Sequence, residues 1–194
     1  MLFEELPLAG AFVITPKRFE DGRGFFSETY SQRDFDRILP DTAFVQDNHS
    51  LSRDAGVLRG LHFQKPPFEQ GKLVRVTAGK VLDVIVDIRA GSPTFAQHIS
   101  VELSAENGKQ LWVPPGFAHA FITLEPNTEF LYKVTSFYAP EHDAGIAYND
   151  PELDIQWPFD AGDIILSDKD RALPFLRDIE TPFTYQAPNT KGRR

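Results

Sequence analysis

Short segments rich in β-branched and other apolar residues, separated by glycine and proline, run through most of this chain. Such segments are typical of β-strands, and the glycines and prolines between them mark turns. The strands predicted in this way are Ala11–Thr15, Lys72–Thr77, Val81–Ile88, His98–Leu103, Gln110–Val113, Phe117–Leu124 and Glu129–Phe137. Many short strands with little helix favour an antiparallel sandwich or barrel, so we expect a mainly β fold class.

Helix is predicted in two regions only. Gln32–Leu39 places its apolar residues on one helical face, with Ser31 at the N-cap position and Pro40 as the stop. The region Gly162–Arg177 is expected to hold short helical turns. The β fold should therefore carry a few short helices.

Length and composition favour one globular domain. A chain of 194 residues forms a single core, so we predict one domain over residues 1–186 and a flexible polar tail over residues 187–194. Cysteine is absent, which excludes a disulfide framework, Cys-ligated metal and a thiolate nucleophile. The formal net charge of -8, without a basic run, argues against binding to a nucleic-acid polymer.

No segment has the pattern of a targeting or membrane element. The first residues, MLFEELPLAG, carry acidic side chains where a signal peptide needs positive charge. A run of about 18 apolar residues, which a transmembrane helix requires, does not occur. We therefore expect a cytoplasmic protein without membrane contact.

The densest group of polar residues lies in Gln46–Ser50 and in Gly56–Gln64. Strict strand alternation would place Arg59 and His62 on opposite faces of a strand. A β-bulge at Gly60 would bring both to one face, because a bulge inserts one extra residue. Without a bulge this segment is a surface strand with solvated charges, and the residues alone leave both interpretations open.

A metal centre is one site that barrels of this kind often carry. Their usual motif presents His-x-His followed by Glu, whereas this chain has His62-Phe63-Gln64. His119 could supply one ligand, but two histidines do not complete a site. We therefore predict no metal and no other cofactor.

Acid–base chemistry is the alternative for a site that has neither metal nor thiol. Histidine has an unperturbed pKa of about 6.5, which suits a general base at neutral pH, and His62 is the candidate. Tyrosine, with an unperturbed pKa of about 10, keeps its proton at neutral pH, so Tyr132 is a candidate proton donor. A structural histidine and a half-buried strand tyrosine are the commoner roles, and the residues alone do not decide between them.

Seven blocks in order along the chain resemble one enzyme family. The blocks are GRGFFSE (22–28), FVQDNHS (44–50), GVLRGLHFQ (56–64), QGKLVRV (70–76), QLWVP (110–114), GFAHAF (116–121) and FLYK (130–133). The resemblance is to the dTDP-4-dehydrorhamnose 3,5-epimerases and runs from about Phe12 to Leu173. Any single block is weak, but seven blocks in register are highly specific.

The resemblance implies a cupin-like antiparallel jelly-roll β-barrel that acts as a homodimer without metal or cofactor. It also implies the reaction: inversion of C3 and C5 of dTDP-4-dehydro-6-deoxy-D-glucose to give dTDP-4-dehydro-L-rhamnose, in dTDP-L-rhamnose biosynthesis. Both carbons flank the C4 ketone, so loss of a proton gives an enolate and its return on the opposite ring face inverts the centre. Such a site needs a base, an acid on the opposite face and a cation near the C4 oxygen.

The resemblance assigns the chemistry to a small set of side chains. His62 is the base, Tyr132 the acid and Lys72 the cation beside the enolate oxygen. Asp170 matches the carboxylate that orients the histidine, and Asp83 is the alternative partner because the match near Asp170 is looser.

Further positions match substrate contacts in the family. They are Arg23, Phe26, Glu28, Gln46, Asp47, Asn48, Arg59, His119, Tyr138, Asp143 and Lys169. Arg23 and Arg59 are assigned to the phosphates and the sugar, because arginine suits bidentate contacts, and Tyr138 is assigned to stacking on thymine with help from Phe26. The segment Arg23–Glu28 is expected to complete the site of the neighbouring subunit.

Other functions stay open at this point. A single-centre epimerase, which inverts only C3 or only C5 of a dTDP-deoxysugar, would keep the same base and acid. A non-catalytic sugar-nucleotide-binding jelly roll should lack His62 or Tyr132, and both are present. A metal-dependent oxygenase is disfavoured by the broken histidine motif. Asp143 stands where the family often has Glu, which leaves its contact with the nucleotide open.

Overall fold

Two antiparallel β-sheets pack face to face in the computed structural model, which describes residues 1–187. The strands are β1 (Leu2–Glu5), β2 (Phe12–Thr15), β3 (Arg18–Asp21), β4 (Gly24–Ser27), β5 (Gln46–Ser52), β6 (Leu58–Gln64), β7 (Lys72–Ala78), β8 (Lys80–Asp87), β9 (His98–Ser104), β10 (Gln110–Val113), β11 (Phe117–Thr123), β12 (Thr128–Val134) and β13 (Asp143–Gly145). The helices are α1 (Gln32–Phe35) and α2 (Asp168–Arg171), with 3-10 turns at Pro140–His142 and Leu176–Asp178. The expectation of a mainly β fold with a few short helices is confirmed.

The strand order shows how the chain crosses between the sheets. One sheet has the order β1-β2-β10-β7-β12-β5 and the other the order β13-β6-β11-β8-β9. Strands far apart in sequence are neighbours, as with β5 and β12 or β6 and β11. Antiparallel sheets joined by such crossovers form a jelly roll, as predicted. Within residues 1–187, the remaining strands β3 and β4 pair only with each other, as a hairpin.

The buried strand β8 shows why the core has two layers. Val81 and Ile85 face the opposing sheet, whereas Val84 and Val86 face a second apolar cluster on the outer side. Residues of the segment that follows β13, such as Leu153 and Leu176, belong to that second cluster. Because successive side chains of a strand point to opposite faces, a strand covered on both sides is apolar nearly throughout.

Most predicted strands occur within one or two residues of their expected ends. The main exception is the predicted Glu129–Phe137, which ends at Val134. The unpredicted strands are β1, β3, β4, β5 and β13, with β6 left open by the sequence. They are short, or they alternate with polar residues that face solvent or the cavity described below, so their sequences lack a continuous apolar signal.

The predicted helix Gln32–Leu39 is wrong in length, because α1 ends at Phe35. Ser31 occupies the N-cap position, but its side chain makes no capping hydrogen bond. Pro40 disfavours helical backbone in the residue before it, and Asp41 adopts a left-handed φ of 65°. The chain therefore leaves the helix through turns. In Gly162–Arg177 the expected short helical turns are present as α2 and the start of the turn at Leu176–Asp178.

The end of the predicted domain falls at the edge of what the structure describes. Ala187 is the last described residue, so residues 188–194 of the predicted tail lie outside the described part. The domain boundary at residue 186 stays a prediction. No helix within residues 1–187 combines the length and the apolar character needed to cross a bilayer.

Candidate active site

A cavity of about 460 Å³ is lined by side chains from both sheets and from the segment around α2. Its polar lining is Ser50, Arg59, His62, Lys72, His119, Tyr132, Ser167, Lys169 and Asp170. The apolar part of the wall includes Phe121 and Phe130. The residues that the resemblance assigns to base, orienting carboxylate, cation and acid thus surround one space.

A β-bulge in β6 brings Arg59 and His62 to the same face. His62 pairs with His119 and Arg59 with Phe121, so three residue steps on β6 match two on β11. Gly60 lies between them with a φ of 120°, and a Cβ there would come within 2.5 Å of the backbone oxygen of His119. Only glycine fits this close approach, and the bulge that the sequence left open is present.

The imidazole of His62 is held by a carboxylate from α2. Nε2 of His62 lies 2.5 Å from Oδ1 of Asp170. Burial of Asp170 favours its neutral acid, but hydrogen bonds to the carboxylate, the largest from His62, outweigh burial and lower its pKa. An ionised Asp170 fixes the proton on Nε2, which leaves Nδ1 of His62 as the nitrogen that can accept a proton.

Asp83, the alternative partner of His62, contacts a different histidine. Both of its carboxylate oxygens lie 2.9 Å from Nε2 of His119, and the pair is buried. Burial lowers the pKa of His119 despite the nearby charge of Asp83, so His119 is neutral at pH 7 and donates Nε2–H to that carboxylate. The structure therefore brings Asp170, and not Asp83, to His62.

These two histidines do not share a ligand set for a metal. His62 and His119 are cross-strand neighbours, but each Nε2 faces its own carboxylate. Among residues 1–187, no group of three or more His, Asp or Glu side chains is arranged to hold a metal ion. Gln64, at the position of the second histidine of the usual motif, has another use: its amide binds the backbone of Phe137 and Ala139, on either side of Tyr138.

Tyr132 lies across the cavity from His62, on the opposing sheet. His62 belongs to β6 and Tyr132 to β12. Burial raises the pKa of the Tyr132 phenol, while the positive charge of Arg59 acts in the opposite direction. The phenol therefore carries its proton throughout the neutral range and can donate it.

Lys72, at the start of β7, places a positive charge inside the cavity. Its Nζ donates a hydrogen bond of 3.4 Å to the backbone oxygen of His62. Burial lowers the pKa of the ammonium to about 8, although the carboxylates of Asp143 and Asp83 favour its charged form. Most Lys72 side chains are therefore charged at pH 7, but this pH lies only about one unit below the pKa.

The mouth of the site is formed by Tyr138, Asp143 and Lys169. All three line an adjoining cavity, which shares Lys169, His62, Lys72 and Tyr132 with the main one. The hydroxyl of Tyr138 donates a hydrogen bond of 3.0 Å to Oδ2 of Asp143, and the same oxygen accepts one from Nζ of Lys169. The contact with Asp143 raises the pKa of Lys169 in spite of partial burial. Lys169 is therefore a cation at the entrance at neutral pH.

Strand β5 divides its predicted contact residues between two faces. The side chains of Gln46 and Asn48 are hydrogen-bonded to each other at 2.8 Å, and Gln46 also accepts from the backbone of Tyr138 at the mouth. Asp47 lies between them on the strand and forms an ion pair with Lys133 on the outer face. Alternation along a strand makes this separation unavoidable, so the structure does not bring Asp47 into the cavity.

The predicted contacts Arg23, Phe26 and Glu28 lie on or next to the β3–β4 hairpin, and none of them lines the cavity of their own chain. The Arg23 side chain is 91% exposed and pairs with Asp21, and Phe26 is 71% exposed. Its cross-strand partner Phe19 is 53% exposed, so the two rings form an exposed apolar pair, and contiguous apolar surface of this kind is a feature of contact surfaces.

Sequence reasoning misses some residues of the site. Ser50 and Ser167 line the cavity, and Gln64 supports the loop of Tyr138, yet the sequence assigns none of the three to the site. For Ser167 a signal existed, since Ser-x-x-Asp before a helix is a capping pattern. For the other two, only the three-dimensional arrangement shows the contact.

Comparison with known proteins relates this chain to a family of enzymes. The family model described as dTDP-4-dehydrorhamnose 3,5-epimerase matches residues 5–178. A Pseudomonas aeruginosa protein of that name is 53% identical over 167 residues, covering 86% of this chain and 91% of its own. The structure of the Legionella pneumophila enzyme in complex with dTDP-4-keto-L-rhamnose superposes with a TM-score of 0.91 at 45% identity, covering 96% of this chain and 99% of its own.

A related enzyme of narrower activity has the same fold. A 3'-monoepimerase from Streptomyces bikiniensis, solved with dTDP-quinovose, superposes with a TM-score of 0.84 at 34% identity, covering 89% of this chain and 86% of its own. The fold alone does not separate the two activities, but the higher identity lies with the 3,5-epimerases. The chain belongs to the dTDP-4-dehydrorhamnose 3,5-epimerase family.

Proposed function

We propose that this protein inverts C3 and C5 of dTDP-4-dehydro-6-deoxy-D-glucose by successive deprotonation and reprotonation, to give dTDP-4-dehydro-L-rhamnose. The observation that carries the proposal is the placement of His62 and Tyr132 on opposing sheets around one cavity. Inversion requires a base on one face of the sugar ring and an acid on the other. A ring seated between the two sheets meets this requirement.

Each inversion follows from the chemistry of these side chains. Nδ1 of His62 accepts the proton from the carbon beside the C4 ketone, and the electron pair of that C–H bond forms an enolate. The Lys72 ammonium stabilises the negative charge on the C4 oxygen, an effect that grows as the charge develops. Tyr132 then donates its proton to the same carbon from the other face. Solvent restores the proton of Tyr132 and removes the proton of His62.

The cations at the cavity favour a substrate that carries phosphates. Arg59 lines the cavity and Lys169 lies at its mouth, although the chain as a whole is acidic. Arginine can hold a phosphate through two parallel hydrogen bonds. The half-exposed ring of Tyr138 at the mouth offers a stacking surface for the thymine base. A few cations at the cavity thus suffice to bind a nucleoside diphosphate, although the protein as a whole is acidic.

A homodimer supplies the contacts that a single chain lacks. Arg23, Phe26 and Glu28 match substrate contacts in the family, yet lie outside the cavity of their own chain. Insertion of the β3–β4 hairpin into a second subunit would bury the exposed phenylalanine and deliver Arg23 to the partner's nucleotide.

A cytoplasmic location is also part of the proposal and is tested by cell fractionation.

Solvent deuterium exchange, followed by NMR on dTDP-4-dehydro-6-deoxyglucose, tests the function. Incorporation of deuterium at both C3 and C5, with formation of the L-rhamno product, is expected. Label at one carbon only would establish a single-centre epimerase instead. No label at either carbon would leave a binding protein without this activity. His62→Ala should abolish exchange at both positions, since both inversions use one base.

A further inference from the structure

Ser167 makes two contacts with one residue, Asp170. It is the N-cap of α2, and its Oγ accepts a hydrogen bond of 3.1 Å from the backbone N–H of Asp170. The same Oγ donates a hydrogen bond of 2.9 Å to Oδ2 of the Asp170 carboxylate. A serine hydroxyl has one proton and two lone pairs, so both contacts are made at once.

The carboxylate of Asp170 is thereby held at both oxygens. Oδ1 faces Nε2 of His62 at 2.5 Å, and Oδ2 faces Ser167. Within the described part of the chain, these two residues are the side chains that hydrogen-bond the carboxylate. Asp170 is only 4% exposed, so its carboxylate depends on these hydrogen bonds, although Ser167 itself is exposed.

We propose that Ser167 is a positioning residue, whose hydroxyl fixes the Asp170 carboxylate against His62 and so aims the base at the substrate. This inference rests on the proposed function. The hydrogen bond from Ser167 also contributes to the lowered pKa of Asp170, although the bond from His62 contributes more. An ionised, immobile carboxylate keeps the proton on Nε2 of His62 and leaves Nδ1 free, as orienting partners of histidine do elsewhere.

Two simpler roles must be separated from this one. As an N-cap, Ser167 could serve only the stability of α2, and removal of such a cap costs stability. As a residue of the cavity wall, it could contact the substrate directly. Loss of a cap lowers the melting temperature without changing kcat of the folded enzyme. Loss of a substrate contact in the ground state raises KM.

The test compares three substitutions of Ser167 in the full chain. Ser167→Ala and Ser167→Gly both remove the hydroxyl. Glycine is nearly as good an N-cap as serine, so Ser167→Gly keeps the test valid if Ser167→Ala fails to fold. We expect both to lower kcat about 10- to 100-fold with KM unchanged. Ser167→Thr keeps the hydroxyl and should restore most of kcat. Ser31→Ala is the control for removal of a serine hydroxyl at the start of a helix. Ser31 occupies the N-cap position of α1, but its side chain makes no capping hydrogen bond.

A spectroscopic measurement reads the His62–Asp170 contact itself. The proton shared across this short contact should give a far-downfield ¹H NMR resonance in the wild type and in Ser167→Thr. It should be lost or shifted upfield in Ser167→Ala and Ser167→Gly. Unchanged kcat in both of these variants, a rise in KM alone, or an unaltered resonance would overturn the inference. Solvent exchange by the wild type is the reference. Its absence refutes the proposed function. If the wild type exchanges and the Ser167 variants behave like it, only the role of Ser167 is refuted.

Discussion

Oδ1 of Asp170 lies 2.5 Å from Nε2 of His62, although the two residues are 108 positions apart in the sequence. His62 belongs to a strand in the middle of the chain and Asp170 to a short helix near its end. The segment after β13 packs on the outer face of the five-stranded sheet and returns to the cavity at α2. The orientation of the base therefore depends on the docking of the C-terminal segment.

Asp170→Asn should lower kcat about 10²- to 10⁴-fold, the usual range for loss of acid–base catalysis. The amide is neutral, and its NH2 group facing Nε2 favours the proton on Nδ1, which then cannot act as the base. KM should change little, since Asp170 contacts the histidine. The measurement is steady-state kinetics, with Asp168→Asn, an exposed carboxylate in the same helix, as control. Equal losses in both variants would contradict the orienting role.

The lowered pKa of Asp170 also predicts how stability depends on pH. The folded carboxyl has a lower pKa than the unfolded one, so between the two values the unfolded chain binds more protons and stability rises with pH. The contribution of Asp170 is complete above about pH 4, the unfolded value, and is lost as pH falls through the folded pKa. Urea unfolding between pH 2 and 6 should show a shallower pH dependence in Asp170→Asn than in the wild type. An identical slope would contradict this linkage.

How much of this site can be predicted from the sequence depends on how far apart along the chain the contacting residues lie. Gly60 between Arg59 and His62 is a local signal, and the bulge it suggested is present. The outward position of Asp47 also follows from alternation once β5 is known, but that strand is too polar to be predicted. The contact of Asp170 with His62 depends on chain segments far apart in sequence, which periodicity does not describe. Only the family resemblance pointed to it.

Tyr132→Phe should separate exchange from inversion. Burial keeps the Tyr132 phenol protonated, so in the wild type it is the donor on its face of the ring. Without it His62 can still remove a proton, exchange it with solvent and return a deuteron to the same face. Product formation should fall about 10²- to 10⁴-fold, while label still enters the unreacted substrate. NMR distinguishes the two signals, and a parallel loss of exchange and inversion would argue against Tyr132 as the acid.

Lys72 should set the alkaline limit of activity. Burial lowers its pKa to about 8, with Asp143 and Asp83 opposing the shift and Lys169 adding to it. As pH rises through 8, the ammonium loses its charge and with it the stabilisation of the enolate. kcat/KM of the free enzyme should therefore fall above about pH 8.

Lys72→Arg tests this assignment, because the guanidinium keeps its charge to a much higher pH. The variant should be less active at pH 7, since the arginine head is larger, but its alkaline limb should move beyond pH 9 or disappear. Lys133→Arg, on the outer face of the same sheet, is the matched control. An alkaline limb that stays near pH 8 in Lys72→Arg would assign it to another group.

Mixed dimers should show whether the β3–β4 hairpin serves its own chain or its partner. Arg23→Ala and His62→Ala should each be nearly inactive when assayed at substrate concentrations well below KM. If Arg23 reaches the partner's cavity, a dimer with one subunit of each kind contains one complete site. Random mixing makes about half of the dimers mixed, so about a quarter of the wild-type activity should return.

The matched control is a mixture of His62→Ala with Tyr132→Ala. These two residues line the same cavity of one chain, so every site in a mixed dimer lacks one of them and no activity should return. Recovery with Arg23→Ala but not with Tyr132→Ala is the pattern of a shared site, because only a residue contributed across the interface can be supplied by the other subunit. If neither mixture recovers while subunit exchange is verified by mass spectrometry, Arg23 acts on its own chain or not at all. The exposure of Phe26 then needs another cause.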